Sequence, residues 1–136
     1  MVALPERHLL AEHEILSWTD LKEETFLLTR FDLGQDFRDF LMMKLSTPGA
    51  RPEIVQYEVN GETVKTLVGA GLGVSITCDA YLGVNYAGVV YREARDGNGA
   101  WRLGYSAHWA RGNANPTLNA FLKLLHERYP ALPHPG

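Results

Sequence analysis

The chain has 136 residues, which is enough for one domain with a sizeable hydrophobic core. A formal net charge of −3 argues against a nucleic-acid-binding surface, which would show as a basic stripe. There is no apolar run of membrane-spanning length, no signal-peptide pattern after Met1, and one cysteine, Cys78, so we expect a cytoplasmic protein without a membrane partner.

Strand and helix signals alternate in the first half of the chain. An extended segment at residues 1–5 and a single helical turn at 17–21 precede a buried strand at 25–29. A helix should follow, with Asp32 as a candidate cap. Its apolar residues recur at helical spacing: Leu33, Phe37, Phe40, Leu41 and Leu45. Residues 46–49 break that helix, and residues 54–59 alternate as the next strand.

Residues 61–78 predict a short amphipathic helix at 61–70, a glycine stop and a buried strand at 73–78. Asn60 can cap the helix, and Val64, Leu67, Val68 and Gly71 fall on one of its faces. Three glycines let the chain reverse tightly, namely Gly69, Gly71 and Gly73. A dinucleotide-binding fingerprint needs its glycines between a strand and a following helix, so this order favours a helix-to-strand connector.

The second half predicts two further strands, at residues 89–92 and 101–109, joined by a turn at 95–99. Asn115 should cap a final helix over residues 116–128, whose apolar stripe is Leu118, Phe121, Leu122 and Leu125. Residues 130–136 are expected to be a frayed tail. The alternation of strands and helices indicates an α/β fold with a largely parallel sheet, in a single domain over residues 1–136 without an internal linker.

Several segments together resemble the effector-binding domain of LysR-type transcriptional regulators. Residues 61–76 are similar to the "LVAAGLGV" helix of its second lobe, and residues 4–11 to the "ALPERHPLA" segment that opens this lobe, with Leu9 where proline is usual. Residues 17–28 resemble its "DL…EPFI" element, and residues 109–122 its closing strand and last helix. The order and spacing of these segments match over residues 2–129.

The resemblance implies a Rossmann-like lobe of a type-two periplasmic-binding-protein-like effector domain. The implied function is sensing a small, anionic or aromatic metabolite without catalysis and without a cofactor. These residues include neither the winged helix-turn-helix through which the family contacts DNA nor the first half of lobe one, so only one wall of the crevice is expected. A fragment, a truncated gene and a wall supplied by a partner chain all remain open. Exposed elements of the closing segment favour a homodimer.

Two loops are the expected ligand site. In open α/β sheets, ligands bind beyond the carboxyl ends of strands and against helix N-termini, which favour anions. The loops after the strands at 25–29 and 54–59 provide such places, and the resemblance also points to them. The candidate ligand-binding residues carried over are Thr29, Arg30, Phe31, Gln35, Phe37, Gly61, Glu62 and Thr63. For several of them a structural role is the alternative: core packing for Phe37, a solvated charge for Arg30, and helix capping for Gln35 and Thr63.

Signals of catalysis are weak, and we predict neither catalytic residues nor a metal site. The five histidines show no metal-binding spacing, and no nucleophile elbow or P-loop occurs. Cys78 ends an apolar strand, where a thiol is usually inert. His108 lies on a predicted strand that, by the resemblance, crosses between lobes. The alternatives are a periplasmic-type solute-binding protein fragment, or a small α/β enzyme that uses His108 or Cys78.

Overall fold

A computed structural model of the chain describes residues 1–31, 33–78, 83–100 and 107–131. Contacts divide the chain into two compact units, Met1–Leu103 and Gly104–Gly136. Within the described residues, no helix is both long enough and apolar enough to cross a membrane.

The described residues of the first unit form seven strands and two α-helices. The strands are β1 (Val2–Pro5), β2 (Ile15–Ser17), β3 (Thr25–Thr29), β4 (Glu53–Tyr57), β5 (Ser75–Ile76), β6 (Val89–Asp96) and β7 (Gly99–Ala100). The helices are α1 (Gly34–Leu45) and α2 (Gly61–Gly69), and two 3₁₀ turns lie at Leu9–Glu12 and Trp18–Leu21. The extended start, the single turn before β3, and α1 and α2 are confirmed.

The sheet is mixed, whereas the sequence predicted a largely parallel one. Strand β1 lies between β5 and β6 and is antiparallel to both, β2 pairs with β6 in parallel, and β3 pairs with β4 in parallel. Backbone hydrogen bonds from Leu27 N to Val74 O and from Val74 N to Thr25 O connect β3 to the start of β5. Alternating strands and helices show how elements are connected along the chain, but they do not show which strands become neighbours.

Side-chain alternation along the strands produces a core on each face of the sheet. Leu4, Phe26 and Leu28 lie on one face with Phe40 and other apolar residues of α1. Ala3 and Leu27 lie on the opposite face with Val64 and Val68 of α2. Successive strand residues point to opposite faces, so the sheet is sandwiched between the two helices.

Helix α2 begins at the predicted residue and ends one residue before the predicted residue 70, and both of its ends are capped. The Asn60 side-chain oxygen accepts a hydrogen bond from Thr63 N at 2.8 Å. At the other end Gly71 has φ +83°, its N–H donates to Val68 O, and Leu72 N–H donates to Leu67 O. These two bonds form a Schellman motif, which needs a left-handed residue at the glycine position.

Some predicted boundaries differ from the structure. Strand β5 contains two residues where six were predicted, and β6 runs four residues beyond the predicted end at 92. Asp32, the candidate cap of α1, lies outside the described residues, and Leu33 occupies the cap position without a side-chain hydrogen bond. Residues 101–106 of the last predicted strand also lie outside the described residues, and residues 107–109 have no regular secondary structure.

The second unit contains α3 (Pro116–Arg128), which has the predicted boundaries. Asn115 caps it through a hydrogen bond from Thr117 N at 2.9 Å, and Pro116 occupies the first turn, as expected. No residue of α3 is buried, and Phe121 is 47% exposed. Most of the predicted tail, residues 132–136, lies outside the described residues.

Candidate functional site

A cavity of about 390 Å³ lies at the carboxyl end of β3, between the N-terminal halves of α1 and α2. Its walls come from β3, both helices, β5 and β6. The described lining residues are Leu28, Thr29, Leu33, Gly34, Phe37, Asn60, Gly61, Glu62, Val64, Lys65, Ser75, Ile76, Thr77, Val84, Tyr86 and Tyr91. The volume falls in the range of small-molecule sites, and the position is the one that open α/β sheets use for ligands.

Thr29 holds the two predicted loops together at the edge of this cavity. Its Oγ1 donates a hydrogen bond to Val59 O at 2.6 Å and accepts one from Phe31 N at 3.0 Å. Gly34 then begins α1 directly against β3, where a Cβ atom would lie 1.8 Å from Thr29 O. Only glycine permits this approach, so the first turn of α1 is fixed against the end of the strand.

The N-terminus of α2 forms the facing wall. The Asn60 side chain accepts a hydrogen bond from Thr63 N. The backbone N–H groups of Gly61 and Glu62 also lie in the first turn, where a helix provides no internal acceptors. The helix dipole adds partial positive charge at this end. Glu62 is exposed, whereas Val64 and Lys65, which follow it, are buried. This wall therefore has an exposed carboxylate near solvent and a buried cation farther along the helix.

Lys65 is the strongest feature that the sequence reasoning missed. It is 9% exposed, and burial lowers the pKa of its ammonium below the ordinary value of 10.5, against a smaller opposing effect of Cys78. A signal was available in the sequence, because Lys65 is one helical turn after Gly61 and three residues before Val68. Those spacings place the three residues on neighbouring parts of one helix surface.

Other polar residues of the lining also escaped prediction. Ser75 and Thr77 are buried at β5, and Tyr86 and Tyr91 are half-buried. Burial raises the pKa of both tyrosines, with Glu62 adding to the rise at Tyr86, so both phenols remain neutral near pH 7. This wall has no local sequence signal, because its segments come together only through the pairing of β5 and β6 with β1.

Four of the eight predicted ligand residues line the cavity, namely Thr29, Phe37, Gly61 and Glu62. Phe37 also packs against the core, as its spacing suggested. The other four, Arg30, Phe31, Gln35 and Thr63, are not among the lining residues. Arg30 forms an ion pair with Glu58 at 3.0 Å, and Phe31 is 52% exposed. The Gln35 side chain donates a hydrogen bond to Asp39 at 2.8 Å. The Thr63 hydroxyl donates one to the Asn60 side chain.

The described residues contain no group of three metal-ligating side chains, so they form no recognisable metal centre. Of the two residues considered for catalysis, Cys78 is half-buried after β5 in the first unit, and His108 is exposed in the second.

A family model described as the LysR substrate binding domain matches residues 1–130. The chain belongs to this family. LysR relatives include the transcriptional regulator XapR of Escherichia coli, which is 29% identical over 68% of this chain and 31% of its own length. The regulator TtuA of Agrobacterium vitis is 29% identical over 92% of this chain and 42% of its own length. The chain therefore spans less than half of these LysR-type relatives.

Solved LysR effector domains share the fold. The BenM effector-binding domain, solved with its effector benzoate, gives a TM-score of 0.65 at 17% identity and covers 99% of this chain and 62% of that one. The chain is thus a LysR effector-binding domain with a type-two periplasmic-binding-protein-like fold, as the sequence resemblance implied. The relatives are transcriptional regulators, so neither a solute-binding protein nor an enzyme is favoured.

Proposed function

We propose that this LysR domain senses a small-molecule effector that binds in the cavity between α1 and α2, without catalysing a reaction. The observation that carries the proposal is the cavity itself, because the carboxyl end of β3 and two helix N-termini converge on it. Thr29, Phe37, Gly61 and Glu62 are proposed to contact the effector. Arg30, Phe31, Gln35 and Thr63 support the surrounding loops through their present contacts or lie outside the lining.

An anionic or aromatic effector suits this site. The first-turn amides of α2 favour negative charge. Phe37, Tyr86 and Tyr91 supply aromatic surface in the cavity lining. The family match and the HTH-type relatives support a role in transcription regulation, with DNA bound only through a winged helix-turn-helix outside these 136 residues. In that setting the domain works in the cytoplasm, and no cofactor is needed.

Effector binding is proposed to act by population shift. An effector moves an equilibrium between open and closed arrangements only by the difference between its affinities for the two. The second wall of the closed crevice would come from lobe one. A second copy of the chain is the proposed protein partner, through the apolar face of α3 in the second unit.

Thermal unfolding against a panel of aromatic and aliphatic carboxylates, amino acids and sugars tests the proposal. A compound that binds only the folded state at ten times its Kd stabilises it by about 1.4 kcal/mol, which raises Tm by a few degrees. Gly61→Leu should remove this shift by filling the cavity, because a Cβ atom at Gly61 meets nothing within 4 Å and the larger side chain can be built without backbone strain.

Gly97→Leu is the matched control for this experiment, since Gly97 lies outside the lining residues and a Cβ atom there also meets nothing within 4 Å. We expect a selective Tm shift in the wild type and in Gly97→Leu that is absent in Gly61→Leu. If no compound shifts Tm, or if a compound shifts Tm equally in all three proteins, the result contradicts effector binding in this cavity.

A further inference from the structure

Lys65 is the only buried charged residue in the part of the chain that the structure describes. Long charged side chains are rarely buried unless they are paired. In the described residues, Lys65 has no hydrogen bond and no ion pair, although it lines the cavity. Among the described residues this cation therefore has no counter-ion.

The titratable groups that the structure describes around Lys65 do not neutralise it. Within the described part of the chain, Cys78 is the one group with an electrostatic effect on the lysine, and that effect is smaller than the opposing effect of burial. Tyr86 and Tyr91 line the same cavity, but their raised pKa keeps them neutral. Glu62 lies three residues earlier on α2 and is exposed, so water screens its charge.

Beside the buried hydroxyls of Ser75 and Thr77, the described lining around the lysine has a large apolar and aromatic part. Leu28, Val64 and Ile76 are buried core residues that also line the cavity, and Phe37 is partly buried. A single positive charge in such surroundings matches a ligand with one negative charge on an apolar body. A dianion would leave one charge unpaired in a low-dielectric site, at high cost.

We propose that the effector is a monocarboxylate with an apolar body, whose carboxylate pairs with Lys65 while the body contacts the apolar and tyrosine walls. This inference rests on the proposed function and adds the ligand class and the residue that selects it. An ion pair formed inside the cavity compensates the buried ammonium, so removing either charge alone weakens binding.

Matched pairs of carboxylates and neutral amides test the role of the negative charge. The probes are benzoate and benzamide, phenylacetate and phenylacetamide, cyclohexanecarboxylate and its amide, and isovalerate and its amide, titrated calorimetrically into the full chain. We expect at least one carboxylate to bind about tenfold or more tightly than its amide. An amide that binds as tightly as its carboxylate overturns the inference and leaves effector binding intact, whereas no binding by any probe or by the wider panel overturns both.

Substitutions at Lys65 test which residue recognises the charge. Lys65→Met keeps the length and apolar character of the side chain, and it should weaken carboxylate binding about tenfold or more while leaving amide binding unchanged. Lys65→Arg should retain a preference for the carboxylate. Lys22→Met removes an exposed lysine outside the lining and should leave both affinities unchanged. If Lys65→Met loses affinity equally for the carboxylate and the amide, the lysine only supports the structure of the cavity.

Proton linkage gives a readout that a purely structural role would not produce. Titrations in buffers of different ionisation enthalpy at alkaline pH should show proton uptake when the carboxylate binds, because the ion pair restores the protonated form of Lys65. The amide should show none, and neither ligand should show it in Lys65→Met. Proton uptake that persists in Lys65→Met would assign the proton to another group and contradict the pairing.

Discussion

The buried ammonium of Lys65 should make the stability of the ligand-free domain depend on pH. Its pKa is lowered in the folded state, so between that value and 10.5 the unfolded chain binds more protons than the folded one. The free energy of unfolding therefore rises with pH in this window. We expect Lys65→Met to remove the rise and to be more stable than the wild type at neutral pH, as measured by urea unfolding.

The measurement should stay below pH 10, because the tyrosines act in the opposite direction above it. Tyr86 and Tyr91 have raised pKa values in the folded state, so the unfolded chain loses those protons first above the ordinary value of 10.0, and stability falls. Lys22→Met is the control and should keep the wild-type slope. The same slope in Lys65→Met would contradict the assignment to Lys65.

Among the glycines that the structure describes, Gly34 is the position where a single methyl group should be most harmful. The Cβ of Gly34→Ala would lie 1.8 Å from Thr29 O and 2.8 Å from the carbonyl carbon, so α1 must move away from β3. We expect a loss of at least about 2 kcal/mol in the free energy of unfolding. Gly61→Ala, where a Cβ atom has no neighbour within 4 Å, should change stability by less than about 0.5 kcal/mol. Equal Tm values for the two variants would contradict the close approach.

Predictions about single residues were confirmed where they depend on neighbours close in the sequence. The caps at Asn60 and Asn115 depend on residues two or three positions away, and both hydrogen bonds are present. The cavity depends on contacts between segments far apart in the chain. Lys65 and Tyr91 both line the cavity only because the strands assemble in a particular order. Four of the eight residues proposed as ligand contacts lie outside this lining.

The end of α2 depends on one backbone conformation. Gly71 has φ +83° and its Cβ would meet no atom, so Gly71→Ala suffers the left-handed strain without a clash. We expect a loss of about 1 kcal/mol and a fall in Tm of several degrees. Gly71→Asn should lose less, because asparagine tolerates this region better. Circular dichroism melts compare the variants, and an alanine variant as stable as the wild type would show that the turn rearranges freely.

At the scale of elements, the apolar periods of α1, α2 and α3 were sufficient to place all three helices. Strand lengths were less well predicted, because a strand ends where its partner ends. Strand β5 shows this: its predicted run covers residues 73–78, but pairing with β1 extends only over Ser75 and Ile76. The antiparallel position of β1 is likewise a property of the assembled sheet and has no local sequence signal.

For the whole molecule, the apolar face of α3 predicts self-association. Its stripe of Leu118, Phe121, Leu122 and Leu125 contains no buried residue, so covering it in a dimer would remove apolar surface from water. We expect sedimentation velocity to show a dimer whose fraction rises with concentration. Phe121→Glu should shift the population towards monomer, whereas Lys123→Glu, outside the stripe, should not. A wild-type chain that is monomeric at all concentrations would contradict this prediction.

The layout of α2 has a consequence for how this domain could acquire a new response. Its last turn is held by close backbone packing, since a Cβ atom on Gly69 would lie 2.3 Å from Ala87 O. Its first turn and Lys65 line the cavity, and a Cβ atom on Gly61 would meet nothing within 4 Å. Mutations that change recognition can therefore accumulate at one end of the helix while the other end preserves the architecture. After gene duplication, two copies could diverge in what they detect through a few substitutions within two helical turns.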